Sequence, residues 1–162
     1  MARCLKTPLG IVLLAAAFQV AAARAADTAS PATDQDPSLA QEGVSLQAVC
    51  GKCHSLQIVM DTPMSYDEWH DTVQKMIDRG AAGTDDQLED IMDYLHRTMT
   101  SINVNAADVD ELAIVLDVSD SVARTITARR SKRKFTDLDD LKSVQGIDAS
   151  AVDARARLIY FK

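Results

Sequence analysis

The 162-residue sequence predicts an all-α protein made of two small units, and three observations carry that expectation. Two capping-box signatures, Ser65-Tyr66-Asp67-Glu68 and Thr84-Asp85-Asp86-Gln87, each open an apolar stripe of helical period. A helix, short turn, helix pattern occurs twice after residue 100. No βαβ pattern is visible anywhere.

The first 25 residues read as a secretory leader. Arg3 and Lys6 form a positive start, Leu9 to Phe18 an apolar core, and Ala23-Arg24-Ala25 a small-residue cleavage site. The stretch is too short for a membrane span, and Cys4 precedes the apolar core, against a lipoprotein cysteine. Cleavage is expected after Ala25 or Ala26, giving a periplasmic or secreted protein with no transmembrane segment. Residues 26–37 are polar and carry Pro31 and Pro37, so they predict a disordered linker. The mature chain keeps only Cys50 and Cys53, which an oxidising compartment would otherwise join as a disulfide.

Charge divides the remainder. Loss of Arg3, Lys6 and Arg24 leaves 14 bases against 24 acids. Residues 27–100 hold 14 of those acids and only Lys52, Lys75, Arg79 and Arg97, whereas residues 101–162 hold ten of each sign. Such asymmetry bears on partners and encounter rates rather than on fold. The expected boundaries are a first unit over residues 38–100 and a second over residues 101–162.

Cys50-Gly51-Lys52-Cys53-His54 is the most specific motif in the chain. A C-x-x-C-H run is an attachment site for c-type haem. Two thiols on one incipient helical turn can add to the two vinyl groups along one edge of a porphyrin. The residue after the second thiol then sits beneath the ring, where His54 can offer an imidazole nitrogen to the iron. A redox dithiol would call for a surrounding βαβ pattern. A zinc site would need two more ligands at metal spacing, and His70 and His96 are isolated. One covalently bound haem c is therefore the expected cofactor.

Leu39 to Val49 predicts a weak helix running into this motif. The first capping box starts a helix at Tyr66, with Trp69, Val73, Met76 and Ile77 on its stripe and Gly80 as its stop. The second opens a helix whose stripe is Leu88, Ile91, Met92 and Leu95. A unit of about 60 residues buries little core unaided, so a cofactor at its centre is physically sensible. Met76, Met60 and Met64 are all within reach of the second axial position, while Met92 reads as plain core. Trp69 is expected beside the ring and His70 in solvent, and His96 lies near a helix end, where the dipole favours it when protonated.

Cys50-x-x-Cys53-His54, then Trp69-x-x-x-Val73-x-x-Met76-Ile77, Gly80-Ala81 and Thr84-Asp85-x-x-Leu88-x-x-Ile91-x-x-Tyr94-Leu95, resembles a family of small periplasmic cytochromes c. The family includes the haem subunits of bacterial sulfite dehydrogenases and a haem domain of quinohaemoprotein amine dehydrogenases. The resemblance covers about residues 38–100. It implies His54/Met76 axial ligation and passage of single electrons from a dehydrogenase to a cytochrome or oxidase acceptor. Filled axial positions suit electron transfer, whereas a sensor or an oxygen-activating enzyme would keep an open distal site.

In the second unit, Asn103-Val104-Asn105-Ala106-Ala107 leads into a helix with Val109, Leu112, Ala113 and Leu116. The turn Asp117-Val118-Ser119 and a helix with Val122, Ala123 and Ile126 follow. The pattern recurs with Phe135, Leu138, Leu141 and Val144 on one helix, the turn Gly146-Ile147-Asp148, and then Val152, Ala156 and Ile159. These features resemble competence-type DNA-binding domains of the tandem helix-hairpin-helix class. That class has Gly-hydrophobic-Gly hairpins, because backbone N–H groups must approach a phosphate closely. Here three of the four glycines are absent, and Asp117 and Asp148 place carboxylates where phosphate would sit.

Arg129, Arg130, Lys132, Arg133 and Lys134 form a basic run that could hold phosphates or an acidic protein surface. The zero net charge of the unit favours protein docking or a structural role over DNA. No carboxylate pair, Ser/His constellation or phosphate loop points to catalysis by the polypeptide. The sequence thus predicts an electron carrier rather than an enzyme, with a haem-containing DNA-binding protein and a haem sensor or enzyme as the competing classes.

Overall fold

A computed structural model describes residues 37–162. The expected leader (1–25) and the expected linker, apart from Pro37, lie outside the described residues. Four helices make up the first part: α1 (Pro37–Cys50), α2 (Gln57–Met60), α3 (Tyr66–Asp78) and α4 (Asp85–Met99). The two long ones begin where the sequence places them. At α3, Glu68 N donates to Ser65 Oγ at 3.3 Å and Ser65 N donates to Glu68 Oε2 at 2.8 Å. At α4 the reciprocal pair is Gln87 N to Thr84 Oγ1 at 3.2 Å and Thr84 N to Gln87 Oε1 at 3.1 Å. Each box satisfies orphan donors of the first turn and so fixes the helix start.

Leu46 and Val49 of α1 pack with Trp69 of α3 and with Ile91, Leu95 and Met99 of α4 in one buried cluster. Polar contacts lock α1 onto α4: Ser45 Oγ donates to Asp90 Oδ2 at 2.6 Å, and Arg97 pairs with the buried Glu42 at 3.1 Å. Helix α1 runs from Pro37 to Cys50, so it delivers the C-x-x-C-H segment from its last turn.

The second part runs β1 (Ile102–Asn103), α5 (Val109–Leu116), α6 (Asp120–Arg130), α7 (Leu138–Lys142), α8 (Ala149–Ala154), a 3₁₀ turn (Ala156–Leu158) and β2 (Ile159–Tyr160). Its own core gathers Leu112, Val115 and Leu116 of α5, Ala123 and Ile126 of α6, Leu141, Val144 and Val152. All-α is the right class, with one small addition: β1 and β2 pair in parallel, Ile102 opposite Ile159 and Asn103 opposite Tyr160.

Three positions depart from the helical expectation: Phe135, Ile159, and Val144, which follows the end of α7 at Lys142. Phe135 is buried but precedes α7, because Asn105 bonds both of its backbone groups, Nδ2 to Phe135 O and Phe135 N to Oδ1, each at 2.9 Å. Asp137 then caps α7, accepting from Asp140 N at 2.8 Å. Ile159 lies on β2 rather than on a helix, since the chain straightens after the 3₁₀ turn to pair with Ile102.

The two parts meet along α4, β1 and α5. His96, in the last turn of α4, stacks on Tyr66 with ring centroids 4.3 Å apart, and its Nε2 is buried without a hydrogen-bond partner. Burial pulls its pKa below the ordinary value, outweighing the upward pull of Asp93 and Asp108 and reinforced by Arg97. Glu111 of α5 is shifted upward by burial and by Asp108 and Asp67. Burial at this junction thus disfavours the charged form of each group, against the helix-end position that favours a protonated His96.

Below about pH 6.5 the unfolded chain binds a proton at His96 that the folded chain resists. This stability is present above that pH and is lost as pH falls toward the lower folded value. The midpoint of thermal unfolding should therefore drop more steeply between about pH 7.5 and 5.5 in the wild type than in His96→Gln.

Candidate cofactor site

An apolar cavity of about 520 Å³ opens among α1, α2, α3 and α4. Helix α1 contributes Leu46, Val49 and Cys50, and the following turn contributes Cys53 and His54. The α2 region adds Ile58, Val59, Thr62 and Met64. One face of α3 supplies Trp69, Val73 and Met76, and α4 supplies Leu88, Ile91 and Leu95. The periodicity that made these residues stripes in the sequence makes them walls here.

Cys50 is the last residue of α1, and Gly51 N continues the turn by donating to Gln47 O at 3.2 Å. Cys53 is exposed and Cys50 half-buried, both as free thiols, and burial pushes the Cys50 thiol up. Cys53 is therefore the more accessible nucleophile of the pair. His54 is exposed, with Nδ1 3.2 Å from Ser55 O. With the proton on Nδ1, Nε2 keeps its lone pair for a metal.

Met76 owes its place to the end of α3. Gly80, at φ 101°, lets Gly80 N donate to Ile77 O at 2.9 Å and Ala81 N to Met76 O at 2.9 Å. This is a Schellman stop, and it sets Met76 and Ala81 side by side on the cavity wall. Met64 also lines the cavity, its sulfur accepting from Thr72 Oγ1 at 3.7 Å. Met60 and Met92 do not line it. Met60 packs on the core edge, and Met92 lines a shallow groove between α3 and α4 with His70 and Glu89. The four methionines weighed from sequence thus reduce to two by position.

Among the described residues no group of three or more His, Cys, Asp or Glu side chains could hold a bare metal ion. The donor set suits a different kind of ligand, one that brings its own in-plane donors and needs only axial ones. Two thiols for covalent attachment, one imidazole, two thioethers and an apolar lining fit a haem, and the volume falls within the ordinary range of about 300–1,000 Å³ for ligand sites. Arg79, which also lines the cavity, was not singled out by the sequence. Its signal was its position beside the Gly80 stop, legible only once that stop is known to face the cavity.

The second unit carries the hairpins. Asp117 adopts the left-handed conformation at φ 55° that glycine takes in the related pattern, and Val118 N donates to Ala113 O at 3.0 Å. Its carboxylate accepts from Arg155 Nη2 at 3.4 Å, joining the first hairpin to the second. Asp148 caps α8 itself, accepting from Ser150 N at 2.8 Å and Ser150 Oγ at 2.7 Å. Ser150 N, a first-turn donor of α8, is thereby occupied.

The basic run is also largely engaged. Arg129 and Arg133 both pair with Asp140, the latter at 2.7 Å, and Arg129 lies 5.0 Å over the Phe135 ring. Arg130 Nη1 donates to Val104 O at 2.8 Å. Lys132 and Lys134 are exposed and make no ion pair among the described residues.

Fold and site together define a class: a small helical unit around an apolar cavity rimmed by C-x-x-C-H, joined to a tandem helix-hairpin-helix unit. Residues 98–160 match the family described as helix-hairpin-helix motif. No curated protein and no solved structure matches the chain. Among the described residues no helix is long and apolar enough to cross a membrane.

Gly146 supports the second hairpin at φ 91°, and a Cβ there would lie 2.7 Å from Val122 Cγ2. Gly146→Ala should lower unfolding free energy by about 1–3 kcal/mol in denaturant titration, through backbone strain and overlap together. Gly80→Ala, whose added Cβ meets nothing within 4 Å, should lose less.

Proposed function

We propose that this chain is an exported monohaem c-type cytochrome that carries single electrons between a dehydrogenase and a downstream cytochrome or oxidase. Cys50 and Cys53 would bind the haem through thioethers, with His54 and Met76 as axial ligands. The observation that carries this reading is the shared cavity: Cys50, Cys53, His54 and Met76, more than 20 residues apart at the extremes, line one apolar space of about 520 Å³. When bound, haem c supplies a one-electron couple at its iron.

The residues of the chain would do the rest. His54 would hold the iron, with Nδ1–H donated to Ser55 O, 3.2 Å away, leaving Nε2 free for it. Met76, fixed by the Schellman stop, would fill the second axial position and keep the site closed to small ligands. The apolar wall of Leu46, Trp69, Ile91 and Leu95 excludes water, which with a thioether ligand favours a raised potential. The acids of residues 27–100 would steer the protein toward basic partner surfaces.

The C-terminal unit reads as a docking or structural module rather than a duplex-DNA reader. Its hairpin carboxylates and internally paired arginines leave few free phosphate contacts.

Optical spectra of the oxidised and reduced exported protein test the reading. The wild type should be low-spin with a sulfur-to-iron charge-transfer band, and the band should vanish in Met76→Ala. Persistence of the band in that variant would pass the distal role to Met64. A high-spin wild type that binds carbon monoxide freely would contradict the carrier and favour a sensor or enzyme.

A further inference from the structure

We infer that the C-terminal unit braces the wall of the cofactor cavity from within the same chain, with Arg157 as its principal positioning residue; the cofactor part of this inference rests on the function proposed above. Arg157 lies in the 3₁₀ turn Ala156–Leu158, yet its guanidinium reaches the first unit. Nη1 donates to Met60 O at 2.7 Å, and Nη2 lies 3.2 Å from the sulfur of the fully buried Met99. Beside it, Ser101 N donates to Met64 O at 2.8 Å, and Thr100 and Met64 form a parallel bridge.

Each tether ends on the cavity wall, next to a wall residue, or on a residue bonded to one. Met60 closes α2, between Val59 and Thr62, both of which line the cavity. Met64 lines it directly. Met99 O accepts from Trp69 Nε1 at 3.1 Å, and the Trp69 ring is part of the wall. The segment from Leu56 to Met64 therefore depends on contacts from residues 99–101 and 157.

That dependence has a physical cause. Helix α2 has four residues, and its N-cap Leu56 offers no side-chain acceptor; Ser55 Oγ accepts from Gln57 N at 3.2 Å and Thr62 Oγ1 donates to Ile58 O at 2.9 Å, but a single turn with such local ties is too short to hold itself. Its closing bonds, Asp61 N to Gln57 O at 2.9 Å and Thr62 N to Val59 O at 3.3 Å, form a single turn that follows directly on the C-x-x-C-H motif. A planar guanidinium can serve Met60 O and Met99 Sδ together, whereas an ammonium is a point donor that fits one of them. Two neutral acceptors on a cation with no carboxylate partner among the described residues mark Arg157 as a fastener rather than as part of a surface ion-pair network.

The test uses the full exported chain with Arg157→Ala and Arg157→Lys. Two quantities are read: amide hydrogen exchange across residues 57–64, and the affinity of the oxidised protein for imidazole, which competes with the thioether. In Arg157→Ala, exchange at Asp61 and Thr62 should quicken about tenfold or more, the factor set by one lost charge-assisted hydrogen bond, with α4 unchanged. Imidazole affinity should rise by a similar factor, because the wall that holds Met64 and Trp69 loosens. Arg157→Lys should fall between the two in both readouts.

Unchanged exchange in a folded Arg157→Ala overturns the brace. Should that variant not fold, Arg157→Lys decides: wild-type exchange refutes the two-acceptor clamp, and intermediate exchange upholds it. A protein without haem silences only the imidazole arm, so failure of the cofactor reading is distinguishable from failure of the brace.

Discussion

The rest of the structure depends on one constraint: the first unit closes around an apolar space that its own side chains do not fill. A unit of about 60 residues is marginal even when fully packed, because so little of its surface can be buried. Here Leu46, Val49, Trp69, Ile91 and Leu95 turn part of their apolar surface toward a cavity of about 520 Å³. Apolar walls without partner atoms forfeit dispersion contacts and burial alike. A bound planar macrocycle would restore both. The capping boxes, the Schellman stop at Gly80 and the bonds between α1 and α4 then serve a common purpose. They fix three walls independently of what the cavity holds, so a cofactor would meet a site already shaped.

The second unit solves a different problem, how to bury a core with short helices, and its charges mostly serve that end. Arg129 and Arg133 converge on Asp140, whose side chain is only 12% exposed. Arg130 instead satisfies the Val104 carbonyl, which belongs to a residue at the centre of the core. Asn105 holds Phe135 by both backbone groups, so the aromatic ring enters the core from an extended segment. Side chains that would read as a phosphate-binding run in the sequence thus act as internal ties. The helix-hairpin-helix pattern supplies the scaffold, and the departures at Asp117 and Asp148 turn its turns inward on Arg155 and Ser150.

Legibility in the sequence followed the range of the interactions. Signals confined to one turn were readable: Ser65 and Glu68, Thr84 and Gln87, and Gly80 each act within four residues, so pattern alone placed them. The methionines were readable as candidates and no further, because which of them faces the cavity depends on where α3 and α4 pack. Phe135 and Ile159 were misplaced onto helices because Asn105 and Ile102, about 30 and 57 residues away, decide their backbone, and tertiary partners override local propensity. His96 carried a favourable helix-end signal that burial against Tyr66 outweighs. Arg157 gave no signal at all, since a lone arginine near a C-terminus reads as solvated until its two distant acceptors are seen.

The central claim is that Cys50 and Cys53 hold one haem covalently in the cavity they rim. Intact-mass measurement of the exported protein under denaturing, reducing conditions, with thiol alkylation, tests it most directly. The account predicts the mass of the mature chain plus a single haem, with neither cysteine alkylated. The mass of the mature chain alone, with both cysteines alkylated after reduction, would contradict it.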